Sequence, residues 1–146
     1  MVVGHQVSGH LVNVLQILII EDDIALGETV AEMLDLLGYT SDLVSDGLQC
    51  IQRLAESTPQ LVLLDVHMPG CNGVDILADI RADERLRDLK VMMTTADKYL
   101  DLAHLSQADA VLYKPYTIQA FEVAIDQVMN APAHTGLPLT PLPTGY

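Results

Sequence analysis

Three acids stand in a row at Glu21-Asp22-Asp23, and another, Asp65, lies far along the chain. Each follows an apolar run, Ile17-Leu18-Ile19-Ile20 before the first group and Leu61-Val62-Leu63-Leu64 before Asp65. Four apolar residues in a row read as a strand buried on both faces. Each run therefore carries an acid to the end of a buried strand. In open α/β sheets the carboxyl ends of the strands form the rim where ligands bind. Clustered carboxylates repel one another and raise each other's pKa unless a cation intervenes. Two strands delivering acids to one edge point to a cation site. Two further runs end in polar residues. Val91-Met92-Met93 leads into Thr94-Thr95-Ala96, and Val111-Leu112-Tyr113 leads into Lys114-Pro115-Tyr116. Four strand ends thus offer acid, acid, hydroxyl and lysine, on one edge if the sheet is parallel.

The rest of the chain supplies elements that can position these residues. Leu26, Val30, Met33, Leu34 and Leu37 recur at helical spacing, with Glu28, Glu32 and Asp35 on the other face. Gly38 then stops the helix. Residues 40–44 read as a short strand. Leu48, Ile51 and Leu54 mark a second helix starting near Asp46, and Val74, Leu77 and Ile80 a third. Strands follow at residues 90–93 and 110–113, with a short helix at most over residues 99–106. Ile118, Phe121, Ile125 and Val128 form the stripe of a last helix, N-capped by Thr117. Strands that alternate with helices predict an α/β fold. It is a (βα)5, doubly wound, five-stranded parallel sheet in flavodoxin-like order.

The chain has 146 residues, enough for one domain with a core, and half of them are apolar. Its net charge is −13, which argues against nucleic acid as a direct partner, because phosphate contacts need clustered Lys and Arg. With only seven basic residues, a lysine at a strand end stands out. Cys50 and Cys71 have no metal-type spacing and read as free thiols of a reducing cytoplasm. The first twenty residues carry no charge, but a signal peptide needs a positive n-region. A soluble cytoplasmic protein with no membrane segment is the expectation. All charged side chains lie between Glu21 and Asp126. Residues 1–15 form an uncharged extension, residues 16–130 the domain, and residues 131–146 a Pro-rich flexible tail.

Taken together, these residues resemble a CheY-like receiver domain, the response-regulator half of two-component signalling. The resemblance rests on Glu21-Asp22-Asp23, on Asp65 with Met68-Pro69 and Gly73, on Thr95-Ala96 and on Lys114-Pro115. It spans roughly residues 16–130. It implies that Asp65 is the phosphoryl acceptor, a nucleophile that needs mainly positioning and charge neutralisation. It also implies Mg2+, ligated by Asp22 and Asp65, by Glu21 through water, and by the carbonyl of His67. Lys114 contacts a phosphoryl oxygen as a point charge, Thr95 donates its hydroxyl, and Pro115 follows a cis peptide. His67 and Asp97 flank the phosphoryl group and tune its lifetime.

Simpler readings compete with each of these. Glu21-Asp22-Asp23 alone reads as a solvated turn that caps a helix. Asp65 reads equally as a loop acid or cap, Thr95 as an N-cap, Lys114 as a surface lysine and Gly73 as a turn residue. Four such coincidences in the right order are less favoured than one site. His5, His10, His104 and His134 read as surface residues.

Two departures concern the transmission of a phosphorylation signal to a partner. Val111 stands where the family carries an aromatic residue, and valine is stiff at χ1. Tyr113 shares its face but lies nearer the rim. The interval from Thr95 to Lys114 is also shorter than the family's, so the fourth helix must be trimmed.

The resemblance implies a stand-alone phosphoacceptor switch, not a turnover enzyme. Its donor is a histidine kinase or histidine phosphotransfer protein. Its output is contact with a downstream protein target, with homodimerisation through the output face open. The alternative is a phosphorylation-independent interaction module. A Mg2+-dependent phosphatase is weaker, because Asp65-Val66-His67 lacks the second acid of the Asp-x-Asp motif.

Overall fold

A computed structural model describes residues 16–132. The extension 1–15 and residues 133–146 of the tail lie outside the described residues. The elements are β1 (Ile17–Ile20), α1 (Ile24–Leu36), β2 (Ser41–Val44), α2 (Gly47–Glu56) and β3 (Leu61–Asp65), then α3 (Gly73–Ala82), β4 (Lys90–Thr95), β5 (Ala110–Tyr113) and α4 (Ile118–Asn130). Between β3 and α3 the chain makes a small hairpin, His67–Met68 against Cys71–Asn72.

The five strands form one parallel sheet in the order β2-β1-β3-β4-β5. A parallel sheet covered on both faces needs apolar residues along its central strands, which is why Ile17–Ile20 and residues 61–64 read as unbroken runs. Residues of β1 and β3 are buried at every position. α1 and α4 cover one face, packing Val30, Leu34, Phe121 and Ile125 onto Ile19, Leu63 and Met92. α2 and α3 cover the other, packing Cys50, Leu54, Ile76 and Leu77 onto Leu18, Val62 and Val91.

Helix ends follow local chemistry. Asp23, Asp46, Asn72 and Thr117 each accept a backbone N–H as N-cap. Gly38, at φ 90°, ends α1. Its N–H reaches Asp35 O at 3.0 Å and that of Tyr39 reaches Leu34 O at 2.9 Å, a Schellman closure that needs the left-handed conformation glycine adopts freely.

Three expectations change. First, the fourth crossover, read as a short helix at most, is a 3-10 turn over Leu102–Leu105, so the (βα)5 pattern has four α-helices among the described residues. Leu105 and Ala108 plug the core there. Second, α2 turns a different face inward. Gly47, Cys50 and Leu54 are buried, while Leu48 and Ile51 are 66% and 52% exposed. Third, Gly73 is not a turn residue but the first residue of α3, and its role is close approach. A Cβ there would lie 2.3 Å from the carbonyl oxygen of Asp65.

No helix among the described residues is long and apolar enough to cross a membrane. The start of the tail is pinned, because Lys90 Nζ donates to the carbonyls of Ala131 and Pro132.

Candidate functional site

Strand pairing decides which acids meet. Ile20 pairs with Leu64, so Glu21 and Asp65 leave neighbouring strands side by side. By the two-residue period both project to the α1/α4 face, as does Lys114, two residues beyond Leu112. Carboxylate oxygens of Glu21, Asp22 and Asp65 all lie within 4.8 Å of one another. Glu21 and Asp65 are only 5% and 7% exposed, whereas Asp22 faces solvent. Lys114 Nζ donates to Glu21 Oε1 at 2.9 Å and lies 3.5 Å from Asp65 Oδ1. Its backbone N–H bonds Thr95 O at 2.8 Å, and the Lys114-Pro115 peptide is cis.

Three carboxylates facing one ammonium leave the cluster short of positive charge. Burial pushes the Glu21 carboxyl above its usual range, and the Asp65 charge adds to this, against the pull of Lys114. Burial alone would lower Lys114, but the hydrogen bond to Glu21 and the charges of Asp65 and Glu21 outweigh it and hold its ammonium above the usual value. The donor set is all hard oxygen and carries excess negative charge. That suits a hard divalent cation such as Mg2+, which takes one or two carboxylates and keeps waters.

Each acid of the first loop has its own task. Asp23 accepts from Leu26 N at 3.1 Å as the cap of α1, the simple reading of that run. Glu21 is turned inward, and its Oε2 also accepts from Asp23 N at 3.2 Å. Asp65 is not a helix cap, since Asn72 caps α3.

Thr95 is buried, and its Oγ1 accepts from Asp97 N at 3.0 Å. Receiving that bond leaves the hydroxyl proton free for donation. His67 and Asp97, which lie two residues beyond Asp65 and Thr95, face each other, with His67 Nε2 at 3.5 Å from Asp97 Oδ2. The His67 side chain is thus directed to Asp97 at the surface.

Val111 is fully buried opposite Met93, while Tyr113 is half-buried directly opposite Thr95. The β5 residue paired with Thr95 is therefore Tyr113, not Val111.

Two residues were not marked by sequence reasoning. Thr94 is paired with Asp65, 7% exposed, and its hydroxyl makes no hydrogen bond with any described residue. Only the register distinguishes it from Thr95. Tyr116 stacks on Phe121 at 5.3 Å, and burial, with the charges of Glu21 and Asp65, pushes its phenol up to about 12. The Lys-Pro-Tyr sequence gives no sign of that proximity.

The family model described as the response regulator receiver domain matches residues 17–126. The chemotaxis protein CheY of Pseudomonas aeruginosa is 31% identical over 120 residues, covering 80% of this chain and 97% of that protein. The transcriptional regulatory protein CpxR homolog of Haemophilus influenzae is 35% identical over 123 residues, and the match spans only 52% of its length. Among solved structures, the response regulator protein TrrA of Thermotoga maritima, in complex with Mg(2+)-BeF, superposes with a TM-score of 0.71. It is 24% identical, over 77% of this chain and 97% of that one.

Proposed function

The chain belongs to the response regulator receiver domain family of two-component signalling, and from that premise we propose that Asp65 accepts a phosphoryl group from phosphohistidine. The donor is a histidine kinase or a histidine phosphotransfer protein. The observation that carries this reading is the buried Asp65 carboxylate, joined to Glu21, Asp22 and Lys114 in one cluster on the sheet rim.

In the transfer, a carboxylate oxygen of Asp65 forms a bond to phosphorus. The phosphorus–nitrogen bond breaks, and the imidazole keeps the electron pair and takes up a proton. Lys114, held between Glu21 and Asp65, neutralises one phosphoryl oxygen. Thr95 donates its free proton to another. Gly73 keeps α3 close to the Asp65 backbone and so fixes the angle at which the carboxylate emerges. Glu21, Asp22, Asp65 and the His67 carbonyl would hold Mg2+, which when bound neutralises the carboxylates and the phosphoryl oxygens. TrrA, with its Mg(2+)-BeF complex, supports the assignment by likeness of fold.

The protein is a switch rather than a turnover enzyme, with slow self-catalysed phosphorylation and dephosphorylation at most. It works in the cytoplasm, and its output is a protein contact. A chain of net charge −13 is poorly suited to touching nucleic acid itself. A second reading, a receiver fold that binds partners without phosphorylation, is favoured by Val111 and by the fourth crossover, reduced to a 3-10 turn.

Mass spectrometry and NMR test both readings. With acetyl phosphate and Mg2+ the wild type should gain one phosphoryl group, and Asp65→Asn none. Absence of the wild-type adduct sinks the proposal. With beryllofluoride and Mg2+, amide shifts reaching from the site to the face between Tyr99 and Phe121 support switching. Shifts confined to the site favour the second reading.

A further inference from the structure

Helix α2 keeps one apolar face out of the core. Leu48 and Ile51 lie one turn apart on it, and both are more than half exposed. Single exposed apolar residues are ordinary, but these two share one concavity. It is a groove of about 1000 Å3 between α2, the His67–Asn72 hairpin and the first turns of α3. Its lining includes Leu48, Ile51, Met68 and Ile76. A second cavity of about 320 Å3 continues it between the two helices, sharing Ile51, Ile76 and Asp79.

The rim carries one sign of charge. Asp75 and Asp79 lie one turn apart on α3, both exposed, and neither forms an ion pair with a described residue. Asp46 stands across from them as the cap of α2. The nearby cations are already engaged. Arg85 bonds Leu54 O and Thr58 Oγ1, and Arg81 is held by Asp109. An apolar floor under free acids spaced by one helical turn complements an amphipathic helix whose basic residues recur at the same spacing.

We propose that the α2–α3 groove is a docking site for a cationic amphipathic helix of a partner protein. The apolar stripe of that helix would cover Leu48 and Ile51, and its Lys or Arg residues would face Asp75 and Asp79. The inference does not depend on phosphorylation of Asp65, and its test runs without phosphoryl donor or metal.

The probe is a short synthetic helix of Leu and Lys, with Leu on one face and Lys one turn apart on the other. It is titrated into the full chain and followed by amide NMR at low salt. Shifts should map to α2, the hairpin and the first half of α3. Asp75→Asn with Asp79→Asn should weaken binding by roughly fivefold, and more weakly at high salt. Leu48→Gln should weaken it by about tenfold. Glu28→Gln with Glu32→Gln on α1 should leave it unchanged. Shifts scattered over α1, equal weakening by the α1 pair, or equal binding of a Glu-for-Lys peptide would overturn the proposal. A second copy as occupant would appear as self-association that Leu48→Gln abolishes, and that outcome also overturns it.

Discussion

At the rim where the strands begin, Arg81 of α3 reaches Asp109 with Nη2 at 3.0 Å. Its other donors go to the carbonyls of Gln107, Arg87 and Leu89, and the same Asp109 oxygen takes Val91 N at 2.8 Å. Both side chains are buried, at 9% and 6% exposure, and the charges match one to one. At the rim where the strands end, Lys114 pairs with Glu21 and Asp65, and Asp22 adds a third carboxylate to their cluster. One rim is electrically closed and welds α3 to the starts of β4 and β5. The other is left open. A buried ion pair with every group bonded holds structure, whereas a cluster with surplus charge is stable only in company. The surplus is what suits the second rim to a hard divalent cation.

Removing one charge from each rim should therefore have opposite consequences. Arg81→Met leaves the Asp109 carboxylate buried and unpaired, and urea unfolding should show a loss of about 3–5 kcal/mol. Added Mg2+ should not restore it. A loss near zero would mean that the closed rim is not structural.

Gly73→Ala tests how closely α3 must approach the open rim. The new Cβ would press on the backbone of Asp65 and Val66, and overpacking of this kind costs about 1–3 kcal/mol. The same variant should take up less phosphoryl group from acetyl phosphate, read by mass spectrometry. Unchanged stability and yield would show that the approach is loose.

Asp65→Asn relieves repulsion at the open rim, so without metal its stability should equal or exceed the wild type's by up to about 1 kcal/mol. Mg2+ at ten times its dissociation constant should stabilise the wild type by about 1.4 kcal/mol and the variant by less. A clear destabilisation by Asp65→Asn would place Asp65 with the structural pair instead.

The smallest effect contrasts two thiols near the open rim. Cys50 is fully buried, and burial, with the neighbouring Cys71, pushes its thiol up to about 12. It is a neutral thiol at neutral pH. Cys71 is partly exposed in the hairpin. A thiol reagent at neutral pH should label Cys71 first and Cys50 only on unfolding. Equal rates would show that α2 opens from the sheet.

Much of this was legible in the chain. β1, β3, β4 and β5 each contain an unbroken apolar run because both faces of the sheet are covered, and that requirement is local. The caps at Asp46 and Thr117 and the stop at Gly38 are local as well. Local signals also delivered Asp65, Lys114 and Thr95 to strand ends. The inward face of α2 was not legible. Leu48 and Ile51 make as good a stripe as Gly47, Cys50 and Leu54, and a stripe does not say which side has a sheet beneath it.

The sequence by itself determined the order of elements, the parallel sheet and the residue types at its rim, since these follow from periodicity and backbone geometry. Only the tertiary structure decided the assignments that depend on register and approach. Registry put Tyr113 rather than Val111 beside Thr95 and set Thr94 across from Asp65. Close packing made Gly73 a contact instead of a turn. Burial separated Glu21, turned into the cluster, from Asp23, left outside to cap α1. The reason is the same in each case: a side chain's chemistry depends on what lies a few ångströms away, and those neighbours come from distant parts of the chain.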